Sequence, residues 1–234
     1  MIKTVCYTLT RNIYPNVLPS LKSLLRNGNV DSVVLAIEDD DIGFDLPDKI
    51  LTINMSQQTY IRKDSPNYNC KWTYMALLKT AVPYIFPHHN RILTLDVDTI
   101  VHGDLSPLWE LPIDDYYFAG AIEPFWTGNG MPYVNAGVIM WNCEKLRKDN
   151  KVNIILNALN TVKYDLAEQE CINRKCAGQI YVFGPEWNAG DWTHIPLDGI
   201  KIRHYMATGQ IRFQQIQDVK HYAAMTWDEV FSCG

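Results

Sequence analysis

Asp96 and Asp98 stand one residue apart at the end of the apolar run Arg91-Ile-Leu-Thr-Leu95. A buried strand normally excludes carboxylates, because taking their charge out of water is costly without compensation. Two of them in this position need a partner, and a divalent cation is the natural one. Oxygen ligands suit Mg2+ or Mn2+, and both ions commonly share their coordination shell with substrate phosphates. The chemistry on offer is stabilisation of a departing phosphate or diphosphate. A bare Asp-x-Asp also suits a solvated turn; the apolar strand running into it is what favours metal and phosphate. An EF-hand calcium loop does not fit, since its sixth position would be Val101 rather than Gly and its twelfth Pro107 rather than Glu.

Other residues carry weaker signals on their own. A lone histidine is more often structural than a ligand, so His204 and His221 are only candidates, and His88, His89 and His102 read as loop or surface residues. Asn135 alone reads as a turn or sheet-edge residue, and Glu168 and Glu170 as a solvated helix face. Trp187, Trp192 and Trp227 either pack or serve an acceptor side near Asn188, Gly190 and Asp191. The six cysteines form no CxxC pair or other zinc spacing and read as mostly free thiols.

The elements that must position these groups follow from periodicity. Strands are predicted at residues 4–10, 32–38, 49–55, 91–101, 116–122, 133–141, 180–183 and 200–207. Helices are predicted at 15–27, ended by Gly28, at 72–86 with Pro83 breaking or ending it, and at 143–162 and 165–176. The polar, aperiodic stretch 57–70 reads as a mobile loop that could close over a ligand. Strands alternating with helices imply an α/β domain with a mixed, mostly parallel central sheet flanked by helices. Ligands in such sheets bind beyond the carboxyl ends of the strands.

The bulk numbers agree with one domain over 1–234, whose expected halves divide at about residue 105. Hydrophobic residues make up 47% and charged residues 20%, enough for a packed core. A net charge of −5 without a basic stripe argues against nucleic acid as the partner. No signal peptide or membrane-spanning run is read, so the expected location is the cytoplasm, or the chain is a catalytic domain trimmed from an anchor.

Blocks along most of the chain, in order, give the sequence a family resemblance. They are Thr8-Leu-Thr-Arg-Asn-Ile-Tyr14, Ser20-Leu-Lys-Ser-Leu24, Lys79-Thr-Ala-Val-Pro-Tyr-Ile-Phe-Pro87 and Leu95-Asp-Val-Asp-Thr-Ile-Val-His-Gly-Asp-Leu105. Tyr133-Val-Asn-Ala-Gly-Val-Ile139, Glu168-Gln-Glu-Cys-Ile-Asn173 and Trp187-Asn188 follow. The sequence resembles glycosyltransferase family 8, a GT-A fold. The resemblance implies a nucleotide-diphosphate-sugar donor, with UDP-sugar expected, an Mn2+ (or Mg2+) ion, a glycan or glycoconjugate acceptor, and retention of anomeric configuration. Thr8, Leu9, Thr10, Asn12 and Tyr14 would hold the nucleoside. Asp96 and Asp98, with Val97 between them, would hold metal and touch ribose. Asn135, Ala136 and Gly137 would line the donor sugar, with Glu168 and Gln169 near its reacting carbon.

The sequence also departs from that pattern. Lys79 stands where the family usually has Arg, and it loses the bidentate fork. The family's Asp-Gln-Asp is here Glu168-Gln169-Glu170. The late His-x-x-Gly-x-x-Lys-Pro-Trp block is eroded: His221, followed by small residues and Trp227, is preferred as the third metal ligand, with His204 as the alternative. Lys220 or Arg212 would replace the block's missing lysine. The catalytic set is then Gln169, Glu168 and Lys79. Competing readings are a nucleotide-sugar hydrolase, a nucleotidyltransferase, and a non-catalytic nucleotide-sugar-binding module. The lack of Gly in Thr8-Leu-Thr-Arg-Asn12 counts against the nucleotidyltransferase.

Overall fold

The structure is a computed structural model that describes residues 1–123, 130–206 and 210–232, with residues 210 and 211 described by backbone alone. Its centre is a seven-stranded sheet. Strands β1 (Thr4–Thr8), β2 (Ser32–Ile37), β3 (Ile50–Asn54), β4 (Arg91–Leu95), β6 (Phe118–Ile122), β7 (Val134–Asn142) and β8 (Ile180–Val182) run in the order β3-β2-β1-β4-β7-β6-β8. Only β7 is antiparallel to its neighbours; β1–β2, β2–β3, β1–β4 and β6–β8 all pair parallel. This is the mixed, mostly parallel sheet expected. A second sheet pairs β5 (Thr99–Val101) antiparallel with β9 (Ile202–His204).

Alternation along each strand splits the core into two layers. Val5, Tyr7, Val33, Leu35 and Ile37 face one layer, where α1 (Val17–Asn27) and α4 (Ser106–Trp109) pack. Cys6, Val34 and Ala36 face the other, with α2 (Thr73–Leu77), α3 (Val82–Ile85), α5 (Cys143–Lys148), α6 (Lys151–Thr161) and α7 (Ala167–Lys175). Strands buried on both faces read as unbroken apolar runs, as these do. After β9 come α8 (Gln210–Phe213), α9 (Gln217–Ala224) and α10 (Trp227–Phe231). A small third cluster joins Ile100 of β5 to Phe213, Val219 and Tyr222.

Several elements differ from the expectation, each for a local reason. Residues 91–101 are two strands in two sheets, with the Asp-Val-Asp turn between them. The predicted helix at 72–86 is three short pieces, α2, a 3-10 turn Leu78–Ala81 and α3. The predicted helix at 143–162 breaks at Asn150, whose φ of 53° is left-handed, so α5 and α6 are separate. The strand expected at 200–207 is shorter, and its residue 207 lies outside the described residues. Five cysteines are free, as expected; Cys233 lies outside the described residues.

The stretch 57–70 has no helix or strand, but it is tied down. Buried Asn67 donates to the carbonyls of Leu159 and Val162, both at 2.6 Å, and accepts from the Tyr164 N–H at 3.0 Å. Ser65 Oγ donates to the Leu159 carbonyl at 2.8 Å, and the Arg62 N–H donates to Asn160 Oδ1 at 2.8 Å. These polar residues stitch the segment to the end of α6, so the free flap expected from polarity is not what forms. Asn67→Ala should cost about 2–3 kcal/mol of unfolding free energy in urea, because it leaves buried partners unpaired. Limited proteolysis of the unliganded wild type should spare residues 57–67 until global unfolding; early cleavage there would show that the tether does not hold.

Candidate functional site

The carboxyl ends of β1, β2, β4 and β6 lie on one edge of the sheet, together with the start of antiparallel β7. β1 and β4 are neighbours although the chain reaches β4 only after β2 and β3, so strand order reverses between them. That is where open α/β sheets hold ligands. The Asp96-Val97-Asp98 turn leaves β4 at this point. It is pinned from below. The Asp96 N–H donates to the Gly137 carbonyl at 2.8 Å, and Thr99 Oγ1 donates to the Asp96 carbonyl at 2.8 Å. With its proton committed there, Thr99 accepts from Ser20 of α1 at 3.1 Å, and Ser20 accepts from the Tyr7 hydroxyl at 2.9 Å. Val97 is partly buried and packs against the core.

Three side chains converge on the turn. His204, at the end of β9, is paired opposite Thr99 and is buried. Its Nε2 lies 3.2 Å from Asp98 Oδ1 and 3.9 Å from Asp96 Oδ2. One ligand atom from each of Asp96, Asp98 and His204 falls within 4.8 Å of the others, so the three can share one ion. Two carboxylates and an imidazole match the oxygen-and-nitrogen preference of Mn2+, and Mg2+ is the harder alternative. Burial pushes the Asp98 carboxyl up, but His204 beside it outweighs burial and holds it below the usual range. Burial pushes His204 down, but Asp98 and Asp96 outweigh that and raise it.

The sequence preference for His221 is corrected here. His221 is exposed on α9, with its ring edge-on to Tyr222. α9 packs along α1, and Lys22 of α1 donates to the carbonyls of Ala223 and Met225 at 3.0 and 2.5 Å. Trp227 sits over Lys22 and donates to the Asp45 carbonyl at 3.3 Å, so it packs rather than lining an acceptor. Arg212 and Lys220 are both exposed, and Lys220 lines a separate hollow between α1 and α9.

Lys79 is the buried cation of the site. Its Nζ donates to Asp96 Oδ1 at 2.7 Å and to the Ala136 carbonyl at 3.2 Å, and lies 3.1 Å from Glu168 Oε1. Burial favours its neutral form, but Asp96 and Glu168 outweigh burial and raise its pKa. An ammonium has three N–H groups. Three acceptors of the protein surround this one, so Lys79 orients Asp96 and Glu168 from within.

The residues expected on the sugar side form one network. Gln169 accepts from the Ala136 N–H at 2.9 Å and donates to Glu123 Oε2 at 3.4 Å. Asn135 donates to the same Glu123 oxygen at 2.8 Å. Gly137 is needed for space: a Cβ there would overlap the His204 ring, standing 2.7 Å from Nδ1. Glu123 and Asn188 are central here, yet the sequence reading gave Glu123 no role. The signal was present, since Glu123 follows an apolar strand just as Asp96 does. Ala167, one residue before Glu168, has a left-handed φ of 47°.

At the carboxyl ends of β1 and β2, Thr10, Arg11, Asn12 and Glu38 join Tyr68, Asn69, Cys70, Thr73 and Tyr74 around a cavity of about 530 Å3. Tyr68 and Tyr74 stack at 4.6 Å, giving the cavity an aromatic wall. Thr73 holds a left-handed φ of 69° there, a costly conformation for a β-branched residue. Of the predicted nucleoside residues, Thr10 and Asn12 line this cavity. Thr8 ends β1, Leu9 is fully buried in the core, and Tyr14 is buried with its hydroxyl accepting from the Glu38 N–H and donating to Asp39.

Residues 5–207 match the family model described as glycosyl transferase family 8. General stress protein A of Bacillus subtilis is 22% identical over 175 residues, covering 69% of this chain and 59% of that protein. Glycosyltransferase GlyE of Streptococcus pneumoniae is 34% identical over 105 residues, covering 45% of this chain and 24% of that one. The chain therefore spans less than two thirds of either relative's length. The crystal structure of GlyE superposes with a TM-score of 0.73 at 19% identity, covering 99% of this chain and 62% of that one. A galactosyltransferase LgtC crystal structure, in complex with donor and acceptor sugar analogs, gives 0.65 at 15% identity, covering 96% and 98%. These likenesses show that the fold is shared.

Gly137→Ala should lower any divalent-cation affinity of the Asp96–Asp98–His204 cluster about tenfold or more by displacing His204, since losing the support of a ligand costs that much. Calorimetric titration measures it, and unchanged affinity would remove Gly137 from the account. Its stability cost should stay at about 1–3 kcal/mol, the usual cost of overpacking.

Proposed function

The chain belongs to glycosyl transferase family 8, and from that premise we propose that it transfers a sugar from a nucleotide-diphosphate sugar, a UDP-sugar, to a glycan or glycoconjugate hydroxyl with retention. The observation that carries this reading is the meeting of Asp96, Asp98 and His204 at the carboxyl end of β4, with the cavity lined by Thr10, Asn12 and the Tyr68–Tyr74 stack at the carboxyl end of the neighbouring strand β1. Asp96, Asp98 and His204 would hold Mn2+ (or Mg2+), which when bound supplies neutralising charge to the departing diphosphate. The nucleoside would occupy the aromatic-walled cavity. The sugar would lie over Asn135, Ala136 and Gln169. The division into a nucleotide half to about residue 105 and a sugar and acceptor half beyond it is part of the same proposal.

In this reading the chain's own residues chiefly position and stabilise. Lys79 holds the Asp96 and Glu168 carboxylates in place. Gln169 is already fixed at both ends of its amide, by the Ala136 N–H and by Glu123. Such a preorganised dipole stabilises charge at the sugar's reacting carbon without reorganising during the step. Glu168 is committed to Lys79, which weighs against its acting as a free nucleophile. A front-face reaction follows: the bond from sugar to diphosphate breaks, the acceptor oxygen bonds on the same face, and its proton passes to the departing diphosphate oxygen. Holding donor and acceptor in attack geometry supplies several kcal/mol of the barrier reduction. Among the described residues no helix is long and apolar enough to cross a membrane. A cytoplasmic location stays part of the proposal.

Asp98→Ala should abolish cation-dependent donor binding and leave the fold intact, as read by calorimetry and circular dichroism. Unchanged donor affinity would sink the metal role. Gln169→Ala should slow turnover about a hundredfold without abolishing it. Proton NMR of the first product decides the stereochemistry: an α-linked donor should give an α-linked product, and a β-linked product overturns retention. Release of nucleoside diphosphate without acceptor at the full rate would favour a hydrolase instead.

A further inference from the structure

A hydrogen-bond path runs from the sugar side of the site to the back of His204, and its direction can be read from one end. The Gly137 N–H donates to the Asn135 side chain at 2.8 Å. A backbone N–H only donates, so the atom facing it is the Asn135 oxygen, Oδ1. The Asn135 amino group is thereby turned toward Glu123 Oε2, 2.8 Å away. The same Oδ1 lies 3.0 Å from the Asn188 side chain, which must present its own amino group there. The remaining end of Asn188 is then an oxygen, and it faces His204 Nδ1 at 2.8 Å. A carbonyl oxygen only accepts. The nitrogen facing it must carry hydrogen.

We infer that Asn188 is a positioning residue that holds the His204 proton on Nδ1, leaving the lone pair of Nε2 aimed at the space shared with Asp96 and Asp98. The inference rests on reading those three residues as the cation site. Without Asn188, the aspartates are the acceptors within reach of the ring, Asp98 at 3.2 Å and Asp96 at 3.9 Å from Nε2. They would draw the single proton of a neutral imidazole onto Nε2, the nitrogen a cation needs bare. An imidazole presents a metal with only one tautomer at a given nitrogen, and the partner at the other nitrogen selects it. The fold supplies this partner locally. Asn188 is buried, and the residue after it, Ala189, accepts from the His204 N–H at 2.8 Å and donates to the Ile202 carbonyl at 2.9 Å. The segment that carries Asn188 is thus stitched to β9, and the selector moves with the ring it selects. Because the path continues through Asn135 to Glu123, which Gln169 also contacts, the sugar side and the cation side share one set of fixed amides.

The test is long-range proton–nitrogen NMR of histidine-labelled, metal-free protein, read on the neutral His204 ring and assigned by a His204→Gln control. The wild type should show hydrogen on Nδ1. Asn188→Leu, which keeps the branched shape and loses the acceptor, should move it to Nε2, while Asn188→Asp, which keeps an acceptor, should leave it on Nδ1. Hydrogen on Nε2 in the wild type overturns the inference, and so does a tautomer that Asn188→Leu does not change. Should Asn188→Leu fail to fold, the wild-type spectrum decides alone. Calorimetric Mn2+ titration of the same proteins should show about 10–100-fold weaker binding for Asn188→Leu, with Asn188→Asp recovering most of the loss. Equal losses in both variants would make Asn188 merely structural and overturn the inference. A wild type that binds neither Mn2+ nor Mg2+ but shows an Asn188-dependent Nδ1 hydrogen would fell the cation reading and uphold the proton assignment.

Discussion

The arrangement depends on the ammonium of Lys79 buried between Asp96 and Glu168. Burying one charge is costly, and here the cost is offset by two carboxylates and a carbonyl in contact. The three groups it gathers come from three separate places: the turn after β4, the start of α7 and the start of β7. The lysine therefore sets the spacing between the Asp96-Val97-Asp98 turn and α7. It also explains how a Lys can stand where the family's Arg is usual. Its three N–H groups are taken up by acceptors of the protein itself.

The second constraint is crowding around His204. Gly137 makes room for the imidazole, the Thr99–His204 pairing sets its height, and Asn188 backs it. None of these residues is reactive, yet each decides where the reactive ones stand. The left-handed residues Thr73 and Ala167 flank the same region, one on the cavity wall and one just before Glu168. Strain of this kind persists only where the surrounding packing dictates the backbone.

Much of this was legible in the sequence because it is local. An apolar strand running into acid marks Asp96 and Asp98, and short apolar runs mark the central strands to within a residue or two. What was not legible depends on long-range pairing. Residues 91–101 read as one strand because both halves are apolar; only the pairing of β5 with β9 shows that the chain changes sheets. The same pairing selects His204, whereas the local context of Trp227 favoured His221. Polarity misled at 57–70, where Ser65 and Asn67 are polar because they bond to the end of α6, not because they face water. Glu123 carried the same signal as Asp96, but a single acid after a strand is too common to single out.

The small sheet has a consequence for how the protein is made. β5 follows the aspartates directly, whereas β9 and His204 lie far toward the carboxyl end. A growing chain emerging from the ribosome therefore carries both carboxylates long before the imidazole that completes the cluster. Lys79 precedes them and can neutralise Asp96 during that interval. The nascent chain can hold an internal counter-ion first, and the full cluster of Asp96, Asp98 and His204 arises only once synthesis has passed β9.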